Sequence, residues 1–189
     1  MPAAGIHLCI AKKLLKKRNM DQQLFFLGNV APDSWRNSNS TKDGTHFQID
    51  GIIHHELFYQ KYKNELSNPF VYGYLTHLIT DFYWYGHHLS TSDKKVENYY
   101  EECSKLVSKL TKIYQIKPLE KIKDDFFHPI EELETSGINQ TIQYINNVSF
   151  LDDSLPLVLF NVEDTIHDID ETYEYVEREL ERLKISKIY

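Results

Sequence analysis

His77 and Asp81 stand four residues apart in the run YGYLTHLITDFYWYGHH, which spans Tyr72 to His88. At that spacing an imidazole and a carboxylate share one face of a helix. Nearly every other position in the run is apolar or aromatic, and a helix apolar around most of its circumference belongs inside a protein. A buried carboxylate needs a partner, because an isolated buried charge is very costly. Two arrangements satisfy it. One is hydrogen bonding to neighbouring side chains. The other is a metal ion, for which imidazole and carboxylate at helical spacing are natural ligands. His87 and His88 close the run. On an ideal helix His88 shares the face of His77, but a helix ending near Gly86 removes that distinction.

Further candidates lie upstream. His7 falls on the apolar face of a helix expected over Ile6 to Asn19, so it is a satisfied core histidine or a ligand. Asp33 and His46 lie in the longest irregular stretch, Val30 to Gly51, rich in the turn formers Pro32, Asn37, Asn39, Ser40, Asp43 and Gly44. A loop that long is functional or mobile, although an Asp after Pro is also a common cap. His54, His55 and Glu56 open another helix, Ile53 to Leu66. Downstream, His128/Glu132 and His167/Glu171 each repeat the four-residue spacing. His128 precedes Pro129 and reads as structural or exposed. His167 lies among many acids on a solvated face.

Helices are expected to position these groups. Short Gln22 to Asn29 follows the first helix, and the buried central helix begins near Pro69. Asp93 to Ile116 has apolar residues at steps of three and four. Leu119 to Glu134 is weaker and broken by Pro129. Gly137 to Phe150 is another helix. The last, Leu155 to Lys184, carries a heptad stripe from Val162 to Leu183, read as packing on the domain. No alternating strand pattern or repeat is evident. The expected architecture is all-α, one domain over residues 1–189, with about seven to nine helices.

Composition agrees. Hydrophobic residues make up 41% of the 189, enough for a folded core, and only 7 Gly and 6 Pro interrupt the chain. The net charge of −7 argues against duplex nucleic acid and suits bound divalent cations. Cys9 and Cys103 read as buried free thiols. The basic run Lys12 to Arg18 follows rather than precedes the apolar Ile6 to Ala11, so no signal peptide is expected. No apolar stretch is long enough for a membrane span. A cytoplasmic protein is the expectation. The basic run reads as a solvated face or as a peripheral contact with a membrane surface.

The ordered set His7, Asp33, His46, His77, Asp81 and His87 is set in IHLCIA, FLGNVAPDS, THF and HLITD. In this it resembles the bacterial zinc-dependent phospholipase C family. It is similar, more distantly, to the single-strand-specific zinc nucleases. The resemblance covers roughly the first ninety residues. It implies one to three Zn²⁺ ions in a cleft between helices: His7 at one, Asp33, His46 and His77 at a second, Asp81 bridging them, and His87 at a third. It implies that Asp33 is a ligand or general base in hydrolysis of a phospholipid phosphodiester. The family completes its last site with a His and an acid four apart, for which His128/Glu132 and His167/Glu171 are the candidates. It also uses a terminal amine, and Pro2 stands at that offset from His7 with Met1 before it. Two other readings stay open: a nuclease or nucleotidase on the same metals, and a non-catalytic helical module that binds metal.

Overall fold

The computed structural model describes residues 3–87, 99–123, 125–150 and 156–185. Met1, Pro2, His88 and the expected helix starts at Asp93 and Leu155 lie outside the described residues. The fold is all-α. Its helices are α1 (Ala4–Leu15), α2 (Gln22–Val30), α3 (Lys42–Thr45), α4 (His55–Tyr62), α5 (Pro69–His87), α6 (Tyr99–Ile113), α7 (Ile138–Ser149) and α8 (Val162–Arg182). Among the described residues no helix is long and apolar enough to cross a membrane.

Helix α5 is the buried centre. Every residue from Phe70 to Asp81 is buried, and only its last turns emerge, exposing Phe82, Tyr85, Gly86 and His87. Its closest partner is α2, and two glycines make the contact. A Cβ on Gly28 would meet the Phe70 carbonyl oxygen at 2.0 Å, and one on Gly73 would meet the Phe25 carbonyl oxygen at 2.2 Å. Only hydrogen at these two positions lets the backbones approach so closely. Helix α2 starts where Asp21 accepts a hydrogen bond from the Leu24 amide at 2.9 Å, an N-cap.

The long irregular stretch is more ordered than its turn residues suggest. Pro32 opens a 3₁₀ helix over Ala31–Asn37, and Thr41 caps α3 by accepting from the Gly44 amide. Two-residue strands β1 (Gln48–Ile49) and β2 (Ile52–Ile53) then pair antiparallel, Gln48 with Ile53 and Ile49 with Ile52. The turn between them, Asp50-Gly51, has positive φ at both residues (52° and 78°), as a type I′ hairpin turn requires. No strand was expected here; the Asp-Gly pair between isoleucines was the available signal.

The expected weak helix from Leu119 to Glu134 is absent among the described residues. Pro118 and Pro129 remove amide donors, and the described residues follow an irregular path, held against α7 at Leu119 and Ile122. Two asparagines of α7 hold it there through side-chain bonds to its backbone. Asn146 exchanges both hydrogen bonds with the Leu119 backbone, each at 2.9 Å, and Asn139 does the same with Ile122 at 2.9 and 3.2 Å.

Helix α8 packs on α1 and α5, burying Ile169, Val176 and Leu180 of its stripe. The basic run of α1 turns toward it. Lys13 pairs with Asp170, and Arg18 makes a bidentate pair with Glu177 at 2.9 and 2.8 Å while its Nε donates to the Tyr72 hydroxyl at 2.9 Å. Arg18 is buried, so this end of the run is a clamp between helices, not a solvated face. Cys9 is a buried free thiol and Cys103 a half-buried one. Burial pushes both thiols up from their ordinary pKa.

Candidate metal centre

Five of the six expected residues converge. His7, His46, His77 and Asp81 are fully buried, and Asp33 is 7% exposed. His77 and Asp81 project from one face of α5, four residues apart as the spacing requires, with Nε2 3.6 Å from Oδ2. The 3₁₀ helix brings Asp33, and the turn after α3 brings His46. That turn is anchored by Tyr74, whose hydroxyl donates to the Thr45 carbonyl at 2.6 Å. Helix α1 lays the ring of His7 flat on that of His77, centroids 4.0 Å apart.

The protons on these rings can be traced. His77 Nδ1–H donates to the Asn29 carbonyl at 2.7 Å, leaving Nε2 a bare lone pair in the neutral ring. The Thr45 hydroxyl donates to the Lys42 carbonyl at 3.2 Å, so it accepts from His46 Nδ1–H at 3.0 Å. His46 Nε2 is then also bare. The two bare nitrogens face each other at 3.3 Å. Asp81 Oδ2 lies 3.5 Å from His46 Nε2, and Asp33 Oδ1 lies 3.8 Å from it. Lone pairs converging without protons repel unless a cation sits among them. The separations match that role: tetrahedral ligands about 2.0–2.2 Å from zinc are roughly 3.3–3.6 Å apart.

The other carboxylate oxygen of Asp81 faces the opposite way, 3.1 Å from His7 Nε2. Neither atom is aligned for a hydrogen bond, and both nitrogens of His7 and both oxygens of Asp81 lack hydrogen-bond partners among the described residues. Four orphaned buried polar atoms are expensive as they stand. His7, His77 and Asp81 form one group able to hold a metal ion, and Asp33, His46 and His77 another; His77 is common to both, and Asp81 directs one oxygen to His7 and the other to His46.

The electrostatics agree. Burial, reinforced by neighbouring His77, lowers His7 and brings His46 to about 4. Burial also opposes charge on His77, but Asp81 and Asp33 outweigh it and raise that ring above its ordinary value. Burial would lift Asp81, yet the charge on His77 and the contact with His7 hold it well below the carboxylate range. The cluster thus demands positive charge. A cation placed among these groups would meet that demand.

His87 is not brought to this cluster. It is exposed at the end of α5, stacked on Tyr83 at 4.0 Å, with Nδ1 donating to the Tyr83 carbonyl at 2.9 Å. Neither expected His/acid pair joins it. His128 stacks on Phe70, and Glu132 accepts from Lys61 and the Tyr62 hydroxyl. His167 and Glu171 pair with each other on the surface. A separate buried group, His55 with Glu179 at 2.8 Å and Glu56 at 3.6 Å, also has metal-ligand chemistry. There Arg182 already sits on both glutamates and supplies the charge.

A cavity of about 720 Å³ opens beside the cluster, and Asp33 stands in its wall. Its lining includes Trp35, Arg36, Lys42, Trp84, Tyr85 and Tyr144. Tyr74, on the same helix as Trp84 and Tyr85, is fully buried and stacked on Phe58. Arg36 escaped the sequence reading. Its Nη1 lies 3.1 Å from Asp33 Oδ1, and the three-residue spacing was the available signal.

The fold and site thus define an all-helical protein with a buried histidine–aspartate cluster suited to zinc. The family model described as zinc dependent phospholipase C matches residues 6–151, and the chain belongs to that family. The match spans all six expected residues and stops before α8. No curated protein and no solved structure matches the chain.

Proposed function

We propose that this protein is a zinc-dependent phosphoric ester hydrolase acting on phosphodiesters of the phospholipid type. The observation that carries the reading is the convergence of nitrogen and oxygen donor atoms from Asp33, His46, His77 and Asp81 beside a cavity large enough for a substrate head group. Family membership supports zinc and phosphoric ester hydrolysis at the level of class.

Asp33, His46 and His77 would hold one ion, His7 a second, and Asp81 would bridge them. Zinc held there supplies Lewis acidity, which lowers the pKa of a bound water toward neutrality and offsets charge developing on phosphoryl oxygens. The chain's own groups do the rest. Asn29 and Thr45 fix the tautomers of His77 and His46, so that each presents Nε2 inward. Asp33, at the boundary between cluster and cavity, is placed to take a proton from attacking water. The aromatic wall of Trp35, Trp84, Tyr85 and Tyr144 covers the apolar part of the substrate and limits bulk water.

The test is hydrolysis of p-nitrophenylphosphorylcholine by zinc-loaded protein, repeated after chelation and with His77→Ala. Release of p-nitrophenol that disappears in both controls is the expected outcome. Fully metallated protein inactive on this ester, on phospholipid and on single-stranded nucleic acid would leave a metal-binding module instead.

A further inference from the structure

We propose that Arg36 and Lys42 form an anion-binding wall of the cavity and hold the phosphoryl oxygens of a phosphate ester against Asp33. The ligand's identity as an ester rests on the hydrolase reading above; the capacity to bind phosphate does not.

The argument begins with unspent charge. The chain carries a net −7, and many of its cations are paired. Arg18 has Glu177, Lys61 has Glu131 and Glu132, and Arg182 has Glu179 and Glu56. Lys42 has no carboxylate within ion-pair distance among the described residues. Its ammonium lies 3.4 Å from the Tyr85 hydroxyl, over that ring at 5.7 Å, in the cavity wall. Arg36 contacts one carboxylate oxygen, Asp33 Oδ1, through a single nitrogen. A guanidinium has five N–H donors in a planar fork. With one engaged, the remaining donors form a fork that matches phosphate geometry.

The fork is also held in place. The guanidinium lies over the Trp35 ring at 4.9 Å, and its side chain is 52% exposed, so it is braced yet reachable. Asp33, Arg36 and Lys42 all line the same cavity. The other carboxylate in the lining, Asp168, sits on α8. The cluster therefore presents an acid toward the cavity with two cations alongside. An anion entering there meets a fork from Arg36 and a point charge from Lys42.

A purely structural Arg36 would do something different. It would hold Asp33, and its loss would act through the metal. The experiment separates the two. Binding of inorganic phosphate to zinc-loaded protein is measured by titration calorimetry for wild type, Arg36→Ala, Arg36→Lys and Lys42→Ala. Zinc content is measured in each. Losing a charge-assisted contact of this kind weakens binding by about tenfold or more. Arg36→Ala is expected to show that loss with zinc content unchanged. Arg36→Lys, which keeps charge but not the fork, should recover part of it, and Lys42→Ala should show a smaller loss. Phosphate affinity equal to wild type in Arg36→Ala overturns the proposal. So does a loss of affinity that tracks a loss of zinc, and so does wild-type protein that binds no phosphate. Wild type that binds phosphate through Arg36 but cleaves no phosphodiester supports the proposal and removes the hydrolase reading instead.

Discussion

His77 Nδ1 lies 2.7 Å from the carbonyl oxygen of Asn29, a contact from the middle of α5 to the last turn of α2. It exists because Gly28 and Gly73 let the backbones of α2 and α5 touch, each glycine seated on a carbonyl of the other helix. The same contact sets which nitrogen of His77 carries the proton. Helix packing and metal-site tautomer are therefore one property of the fold.

Gly73→Ala tests that link. Its methyl would meet the Phe25 carbonyl oxygen at 2.2 Å, backbone that cannot rotate aside, so the helices must separate. Overpacking of this kind costs about 1–3 kcal/mol. The expected result is a lower melting temperature together with weaker zinc retention during dialysis. Lower stability with zinc retained at full strength would uncouple the two.

Asp81→Ala should behave differently with and without metal. Both carboxylate oxygens are buried and lack aligned hydrogen bonds, and in metal-free protein only the neighbouring His77 and His7 hold the charge there. With zinc the carboxylate is expected to bridge two positions, and a ligand bound only by the folded state raises its stability. Wild type should therefore melt at a clearly higher temperature in zinc than in chelator, and Asp81→Ala should lose most of that difference. An equal zinc-dependent rise in both would exclude Asp81 as a ligand.

His87 separates the resemblance from the geometry. The resemblance implies a further metal ligand here, yet its ring is exposed and engaged with Tyr83. His87→Ala is expected to leave zinc content and melting temperature unchanged. Mass spectrometry showing one ion fewer per chain would restore it as a ligand.

What could be read beforehand follows from the range of the interactions involved. The buried α5 was legible because its apolar run and the His77/Asp81 spacing are local features. The convergence of His7, Asp33 and His46 was not readable from spacing, since three separate segments bring them; the ordered family resemblance supplied it. The irregular path after Leu119 was missed because asparagine side chains on α7, distant in sequence, bond the backbone of Leu119 and Ile122. The clamp on Arg18 was missed for a similar reason. A run of lysines reads as solvated until Glu177, 159 residues away, is known to face it. Arg36 was passed over because its partner Asp33 had already been read as a ligand or cap.

The Arg18–Glu177 pair yields the last prediction, a pH dependence outside the metal centre. Groups facing Glu177 include Arg18 and Lys17 from α1 and its flank, and Tyr173 from its own helix. Burial alone would raise its pKa, but the hydrogen bonds and charge from Arg18 outweigh that and hold it below the ordinary glutamate value. A carboxyl depressed in the folded state stabilises above its unfolded pKa, about 4.3, and loses that contribution as pH falls through the folded value. Glu177→Gln should therefore be less stable than wild type at pH 7. Removing one partner leaves the Arg18 guanidinium, 4% exposed, with the Tyr72 hydroxyl and Leu14 carbonyl as acceptors, so the loss should be on the order of 2 kcal/mol. Between pH 5 and pH 3 the wild-type advantage should shrink, because protonation weakens the pair that the substitution has already removed. Denaturant melts of both proteins across that range measure it directly. A gap that stays constant with pH would mean that Glu177 contributes by packing and not by its charge.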